Sequence, residues 1–244
     1  MMFQTFAMRQ SLHLHSRLII FLTRLVLLPA SLYVGSVSVM AQTRDYAVST
    51  GQDYYAPRTD KALLEALHNV ELYHLGPGRT EVARKRYHAA LAEFEFILRY
   101  FPNHPQALSL LSDICPKAQE YCKAAEDWLK KGIDRNPQIA TTHLLYAIHL
   151  HRTKRPKEAV ASYRRALELE PESVNVHYNL GLAYTELQQY DLANQHAQKS
   201  YQLGAFTPGL RNRLQKVGKW NPNAVPAGDA PVVSDKPAQA EKIP

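Results

Sequence analysis

The chain of 244 residues is long enough for one or two domains. Its composition, with 45% hydrophobic and 21% charged residues, is that of a globular protein. The net charge is +7, but Arg9, Arg17 and Arg24 stand in the first 41 residues without any acid, which leaves 26 basic and 22 acidic side chains. This small excess does not indicate a nucleic-acid-binding protein.

Residues 1–41 have the organisation of a secretory signal peptide. The three arginines form a positive N-terminal region, and the apolar run from Leu25 to Val37 follows them. Small residues at the −3 and −1 positions predict cleavage after Ala41. A start of translation at Met8 would shorten the long positive region.

The alternative for this segment is an uncleaved membrane anchor. Residues 18–39 are long enough to span a bilayer, although Arg24 interrupts them and a charge within a span is costly. In both cases the arginines precede the apolar run, which predicts that the rest of the chain lies outside. We therefore expect a protein exported to the bacterial periplasm, or one anchored in the inner membrane and facing the periplasm.

Residues 42–58 contain glycine, proline, serine and three tyrosines without helical periodicity, which predicts a flexible linker. Docking of this segment on the folded domain is the alternative. A helix is then predicted from Thr59 or Asp60, with an apolar stripe, to the strong breaker Gly76-Pro77-Gly78. A second helix is predicted over about 80–100 and ends at Phe101-Pro102.

A further helical hairpin is predicted from about Gln106 to Asn136. The two cysteines, Cys115 and Cys122, flank its turn. A structural disulfide is permissible in an exported protein, and two free buried thiols are the alternative. The spacing is not that of a C-x-x-C redox motif, and no further metal ligands accompany it.

Two segments between residues 140 and 207 repeat each other at a spacing of 34 residues. Ala159 and Leu169 recur as Ala193 and Leu203. The motif A-x3-Y-x2-A-L-x-L-x-P begins at Ala159, and L-G-x2-Y begins at Leu180. Because a helix-turn-helix period of 34 with these motifs is typical of tetratricopeptide repeats (TPRs), the chain resembles the TPR family.

The resemblance implies an all-α fold, a right-handed TPR solenoid of helix-turn-helix repeats. Its repeats span 104–138, which has one extra residue, then 140–173 and 174–207, after a divergent repeat at about 59–103. In the divergent repeat, Ala90, Phe94 and Pro102 occupy the positions of the small residue, the aromatic and the closing proline. We expect an enlarged turn between its two helices.

Residues 208–220 are predicted to form a C-terminal capping helix, because a solenoid needs a polar cover on its last repeat. Leu210, Leu214 and Val217 form its apolar face. Arg211, Arg213, Lys216 and Lys219 form the other face. The proline-rich residues 221–244 lack aromatics after Trp220 and are predicted to be a disordered tail.

No catalytic, phosphate-binding, dinucleotide-binding or zinc-protease motif is present in the sequence. The eleven histidines are scattered, and pairs such as His149 and His151 fall on different helix faces. We therefore expect surface or groove histidines, no catalytic residues, no metal and no cofactor.

The resemblance also implies a binding groove, formed mainly by the first helix of each hairpin. Its apolar, aromatic and amide side chains suit an extended peptide or a helix. The alternative is that several of them, Leu182 among them, pack against a neighbouring helix. The implied groove residues are Thr141, Leu144, Ile148, His151, Arg152, Asn175, Tyr178, Asn179, Leu182 and Glu186.

These features predict a non-enzymatic, exported adaptor that binds a protein or peptide partner in a cell-envelope assembly. The second hypothesis is a membrane-anchored TPR accessory subunit of an envelope enzyme or secretion complex. Neither hypothesis involves nucleic acid, and membrane contact is expected only if residues 18–39 are retained. The sequence carries no residue pattern that names the partner.

Overall fold

The computed structural model describes residues 49–228, which fold as an all-α protein, as the sequence predicts. We number the helices of this range in chain order. They are α1 (Lys61–Val70), α2 (Gly76–Ala83), α3 (Tyr87–Tyr100), α4 (Pro105–Ile114), α5 (Cys122–Arg135), α6 (Ala140–Arg152), α7 (Pro156–Leu169), α8 (Val174–Glu186), α9 (Tyr190–Gln202) and α10 (Gly209–Lys216). No helix within these residues has both the length and the apolar character needed to cross a membrane.

Consecutive helices pair as antiparallel hairpins, α2 with α3, α4 with α5, α6 with α7 and α8 with α9. A small buried residue lies at the same position of both helices in each hairpin, because only small side chains allow the two backbones to approach closely. These residues are Gly78 and Ala90, Ser112 and Ala125, Ala147 and Ala159, and Gly181 and Ala193. The aromatic rings of Phe94 and Tyr163 fill the space between helices and are fully buried.

The first hairpin differs from its prediction, because the chain does not leave the helix at Gly76-Pro77-Gly78. A π-helical segment, Glu71–Leu75, joins α1 to α2, so that residues 61–83 are helical throughout. Pro77 is the second residue of α2 and directly follows the π-helical segment, so its missing N–H falls where the helical hydrogen-bond register changes. The prediction of an enlarged turn is therefore wrong, and the turn occupies residues 84–86.

A residue with positive φ closes the turn of three hairpins. Lys85, Lys154 and Gln188 have φ of 60°, 64° and 59° and occupy the same repeat position. The second hairpin instead has one more residue, a short 3-10 turn (Gln119–Tyr121), and a disulfide that joins Cys115 to Cys122. The covalent link therefore lies in the one hairpin of this range whose turn departs from the common form.

Residues 49–58 do not form the predicted flexible linker but lie against the inter-repeat loops. Backbone N–H groups of Gly51 and Gln52 donate to carbonyls at the end of α3. The Asp53 carboxylate accepts from the side chains of Asn103 (2.5 Å) and Asn136 (2.8 Å), which lie in successive loops. Residues 49–58 therefore follow the alternative, docking on the folded domain, and the docking partners are too distant in sequence for local composition to identify.

The C-terminal end also differs from its prediction in extent. Helix α10 is shorter than the predicted 208–220, and it buries Leu210 and Leu214 against α8 and α9. Residues 221–228, predicted to be part of a disordered tail, run along α9. The backbone N–H of Asn221 donates to the Asn194 side chain (2.8 Å), and that of Ala227 to the Gln195 carbonyl (3.1 Å).

Several predictions concern residues outside the described range. The signal peptide or anchor (1–41), the first part of the linker (42–48) and the remainder of the tail (229–244) all lie there. The structure does not test them, and they remain predictions.

Candidate functional site

One pocket of about 470 Å³ opens where α6, α8 and α10 meet. Six of the ten predicted groove residues line it, and both of the last two hairpins contribute to it. They are Ile148, His151, Arg152, Asn179, Leu182 and Glu186. Spacings of three, four and seven residues, about one or two turns, bring these side chains to one face of each helix.

The pocket has an apolar wall and a polar floor. Ile148 and Leu182 are half-buried and form the wall. Tyr163 on α7 is fully buried beneath them, and its hydroxyl has no hydrogen-bond partner among the described residues. Burial raises the pKa of Tyr163, so the hydroxyl keeps its proton at neutral pH. A buried polar group without a partner is costly, and a bound group would relieve that cost.

The rim of the pocket is polar. His151 Nε2 lies 3.2 Å from one carboxylate oxygen of Glu186, and Arg213 on α10 lies 3.7 Å from the other. Burial lowers the pKa of His151 while Glu186 raises it in part, and the net shift is downward, so the imidazole is neutral at pH 7. Arg152 forms an ion pair with Asp113 on α4.

The other four predicted groove residues lie outside this pocket. Leu144 and Tyr178 pack against the core of the last two hairpins, and the Tyr178 hydroxyl lies close to Gly209 at the start of α10. Asn175 is exposed, and its carbonyl accepts from the Asn179 side chain (2.8 Å). Thr141 contacts Tyr55 of the N-terminal segment.

Four lining residues were not predicted as groove residues, namely Pro116, Lys154, Tyr163 and Arg213. Tyr163 belongs to the second helix of its hairpin, and the repeat pattern marks it only as a packing residue. Arg213 was assigned to the polar face of the capping helix. They reach the pocket from four different elements, namely two turns and the helices α7 and α10, so no spacing within one helix identifies them.

Two of the histidines recur at equivalent repeat positions and make equivalent contacts, whereas the sequence predicts scattered surface or groove histidines. His143 and His177 occupy the same repeat position, and the Nε2 of each lies within 2.9 Å of a proline carbonyl that closes the preceding repeat, Pro137 or Pro171. Both rings are largely buried. The pattern P-x5-H, which occurs twice at the repeat spacing, could have predicted these histidines from the sequence. The hydrogen bond within each pattern joins one repeat to the next.

A second histidine contact extends this arrangement. Because His177 donates its Nε2–H to the carbonyl, its Nδ1 accepts from His196 Nδ1 at 2.9 Å. Burial lowers the pKa of His196 to about 3, and the neighbouring His177 contributes to the shift. No group of three or more His, Cys, Asp or Glu residues between 49 and 228 is arranged to hold a metal ion.

Family models agree with the observed repeats. The model "TPR repeat" matches residues 154–188. Models described as "Tetratricopeptide repeat" match residues 75–140, 122–169 and 174–203. Together these matches extend over more than half of the chain, and they begin within the continuous helix of the first hairpin.

Solved structures show the same architecture. Pseudomonas aeruginosa pilF is 21% identical, with 63% of this chain and 71% of that chain covered and a TM-score of 0.50. A crystal structure of MamA is 18% identical over 62% and 80% of the two chains, with a TM-score of 0.46. YrrB, described as a TPR protein with an unusual peptide-binding site, is 21% identical over 63% and 84%, with a TM-score of 0.45. The likeness to pilF supports the fold, because its TM-score is 0.50. At 21% identity it shows the fold alone.

Proposed function

Because the chain belongs to the tetratricopeptide repeat family, we propose that it is a non-catalytic scaffold whose groove holds an extended segment of a partner protein in a cell-envelope assembly. The observation that carries this proposal is the pocket between α6, α8 and α10. It combines an apolar wall with a buried hydroxyl that lacks a partner. Apolar pockets with a few polar groups are what a side chain of an extended peptide enters.

The geometry favours peptide binding over catalysis. The His151 imidazole is held by Glu186 at the rim, and the pocket contains no serine, cysteine or second carboxylate that would complete a nucleophile or an acid–base pair. The residues that line the pocket therefore serve recognition.

Export of the protein is part of the proposal and rests on residues 1–41. The disulfide between Cys115 and Cys122 supports it, because disulfides persist in oxidising compartments such as the periplasm. The alternative is a membrane-anchored accessory subunit that retains residues 18–39.

Site-specific cross-linking in cells tests the groove. A photoreactive phenylalanine at position 182 in the full chain should capture a partner, and the double variant Ile148→Ser/Asn179→Ala should reduce that capture by about tenfold or more. The matched control is Val160→Ser/Gln202→Ala on α7 and α9, which should leave capture unchanged. An equal loss of captured partner in the two double variants would reject the groove as the binding site. Capture that neither double variant changes would reject it as well.

N-terminal sequencing of the protein purified from cells separates the two locations. A first residue of Gln42 supports export with cleavage. A chain that retains residues 18–39 and fractionates with the inner membrane rejects cleavage and supports the anchored subunit.

A further inference from the structure

The C-terminal end of the solenoid carries charge of one sign. Residues 192–228 contain no Asp or Glu, while five basic residues stand among them. These are Lys199, Arg211, Arg213, Lys216 and Lys219. Four of the five fall on or next to α10, the helix that covers the last repeat.

Two of these cations are neutralised locally and three are not. Arg213 pairs with Glu186, and Lys199 pairs with Glu172. Within residues 49–228 the remaining three, Arg211, Lys216 and Lys219, make no ion pair and are exposed. A terminal cap needs polar residues for solubility, but solubility alone does not require this exclusion of acidic residues.

Aromatic side chains contact Arg211, and another aromatic side chain lies exposed near the basic residues. The Arg211 guanidinium lies over the rings of Tyr201 (4.9 Å) and Trp220 (5.3 Å), which fixes it at the surface. Phe206, in the loop between α9 and α10, is 97% exposed, and Val217 at the end of α10 is 47% exposed. A phenylalanine without any packing partner in the fold is the kind of side chain that marks an interaction surface.

We propose that this surface, made of Phe206, Arg211, Lys216, Val217 and Lys219, docks on an anionic lipid bilayer. Basic side chains outside the headgroups are attracted by the negative surface potential, while an adjacent aromatic ring enters the headgroup region. A nucleic acid or an acidic protein would also attract the cations. The fully exposed phenylalanine favours the bilayer, because it gains from burial in the acyl boundary. The proposal concerns a different surface from the groove and stands independently of it.

Vesicle partitioning of the full chain tests this surface. We compare vesicles of phosphatidylcholine alone with vesicles that contain about 30% phosphatidylglycerol in phosphatidylcholine. The second composition has an anionic lipid content of the order found in natural membranes. The triple variant Arg211→Gln/Lys216→Gln/Lys219→Gln should lower partitioning on anionic vesicles by on the order of 100-fold. Phe206→Ser should lower it by about tenfold, and its complete exposure means that the fold is unaffected.

The matched control removes the same charge elsewhere. Lys85 and Lys117 lie on hairpin turns and Lys157 lies at the start of α7, all three are exposed, and their replacement by Gln should change partitioning less than about twofold. Residues 1–48 are identical in all variants, so their contribution cancels. Absence of a wild-type preference for anionic vesicles, or equal losses in the two triples, would overturn the proposal. Loss of duplex DNA binding equal to the loss of vesicle binding, with no effect of Phe206→Ser, would also overturn it in favour of general polyanion binding.

Discussion

At the scale of single residues, Gly78 and Gly181 occupy equivalent repeat positions and serve the same purpose. A Cβ atom at Gly181 would lie 2.6 Å from Leu210 Cδ2, and one at Gly78 would overlap the buried ring of Phe94. At both positions an added Cβ would therefore force the neighbouring side chain to move. Gly76, two residues before Gly78 and also helical, has no atom from another part of the fold within 4 Å of such a Cβ, and its next neighbour in the chain is Pro77.

This pair of glycines gives a matched test. Gly78→Ala should lower the free energy of unfolding by about 1–3 kcal/mol, because Phe94 is fully buried and has no room to move. Gly76→Ala should change it by less than about 1 kcal/mol, because the gain from alanine in a helix is offset by the contact of its Cβ with the ring of Pro77. Urea unfolding measures both. Equal destabilisation by Gly76→Ala and Gly78→Ala would contradict the close contact between Gly78 and the Phe94 ring.

At the scale of elements, the turn of the second hairpin is the exception. Three hairpins close with a residue at positive φ, whereas the second uses a longer turn between α4 and α5. The disulfide spans this turn, and Cys115 is buried. A cross-link between residues seven apart limits the freedom of the unfolded turn.

We expect the double variant Cys115→Ala/Cys122→Ala to lose about 2–3 kcal/mol of stability, the chain-entropy value for so short a loop. A reductant should lower the melting temperature of the wild type and leave that of the double variant unchanged. Calorimetry with and without dithiothreitol measures this. Identical melting of reduced and oxidised wild type would show that the bond does not stabilise the fold.

At the scale of the whole molecule, the N-terminal segment links repeats that are separate in sequence. Asp53 joins the loops before α4 and α6 through Asn103 and Asn136. Partial burial alone would raise the pKa of Asp53, but hydrogen bonds from Asn103, Tyr55 and Asn136 and the nearby Arg135 lower it below its ordinary 3.8. The ionised carboxylate therefore stabilises the fold above the unfolded-state pKa, and this stabilisation is lost as the pH falls through the folded-state pKa.

Accordingly, Asp53→Ala should cost about 1–3 kcal/mol at pH 7, the usual cost of removing hydrogen bonds to a charged group. The difference from wild type should shrink as the pH falls below about 4. Asp134→Ala, which removes an exposed carboxylate, serves as the control and should be nearly neutral. A pH-independent difference between Asp53→Ala and wild type would contradict the role of the ionised carboxylate.

The sequence by itself determined the all-α class and the hairpin repeats. The 34-residue period and its motifs recur in the last two repeats. The small residues Ala159 and Ala193 of these repeats are buried at helix contacts. Six of the predicted groove residues line one pocket, because a helix fixes which of its own residues share a face. These properties depend on residues close together in the chain.

Only the tertiary structure decided the features that depend on distant partners. Gly76-Pro77-Gly78 has the local chemistry of a breaker, yet packing of Gly78 against Phe94 keeps it helical. Residues 49–58 and 221–228 lack periodicity, and the hydrogen bonds that dock Asp53 and Asn221 on the helical repeats reach partners at least 23 residues away. Tyr163 and Arg213 meet at one pocket from separate helices. Long-range packing overrides local preference in each case, because burial and hydrogen bonding across the fold outweigh the small propensities of a few residues.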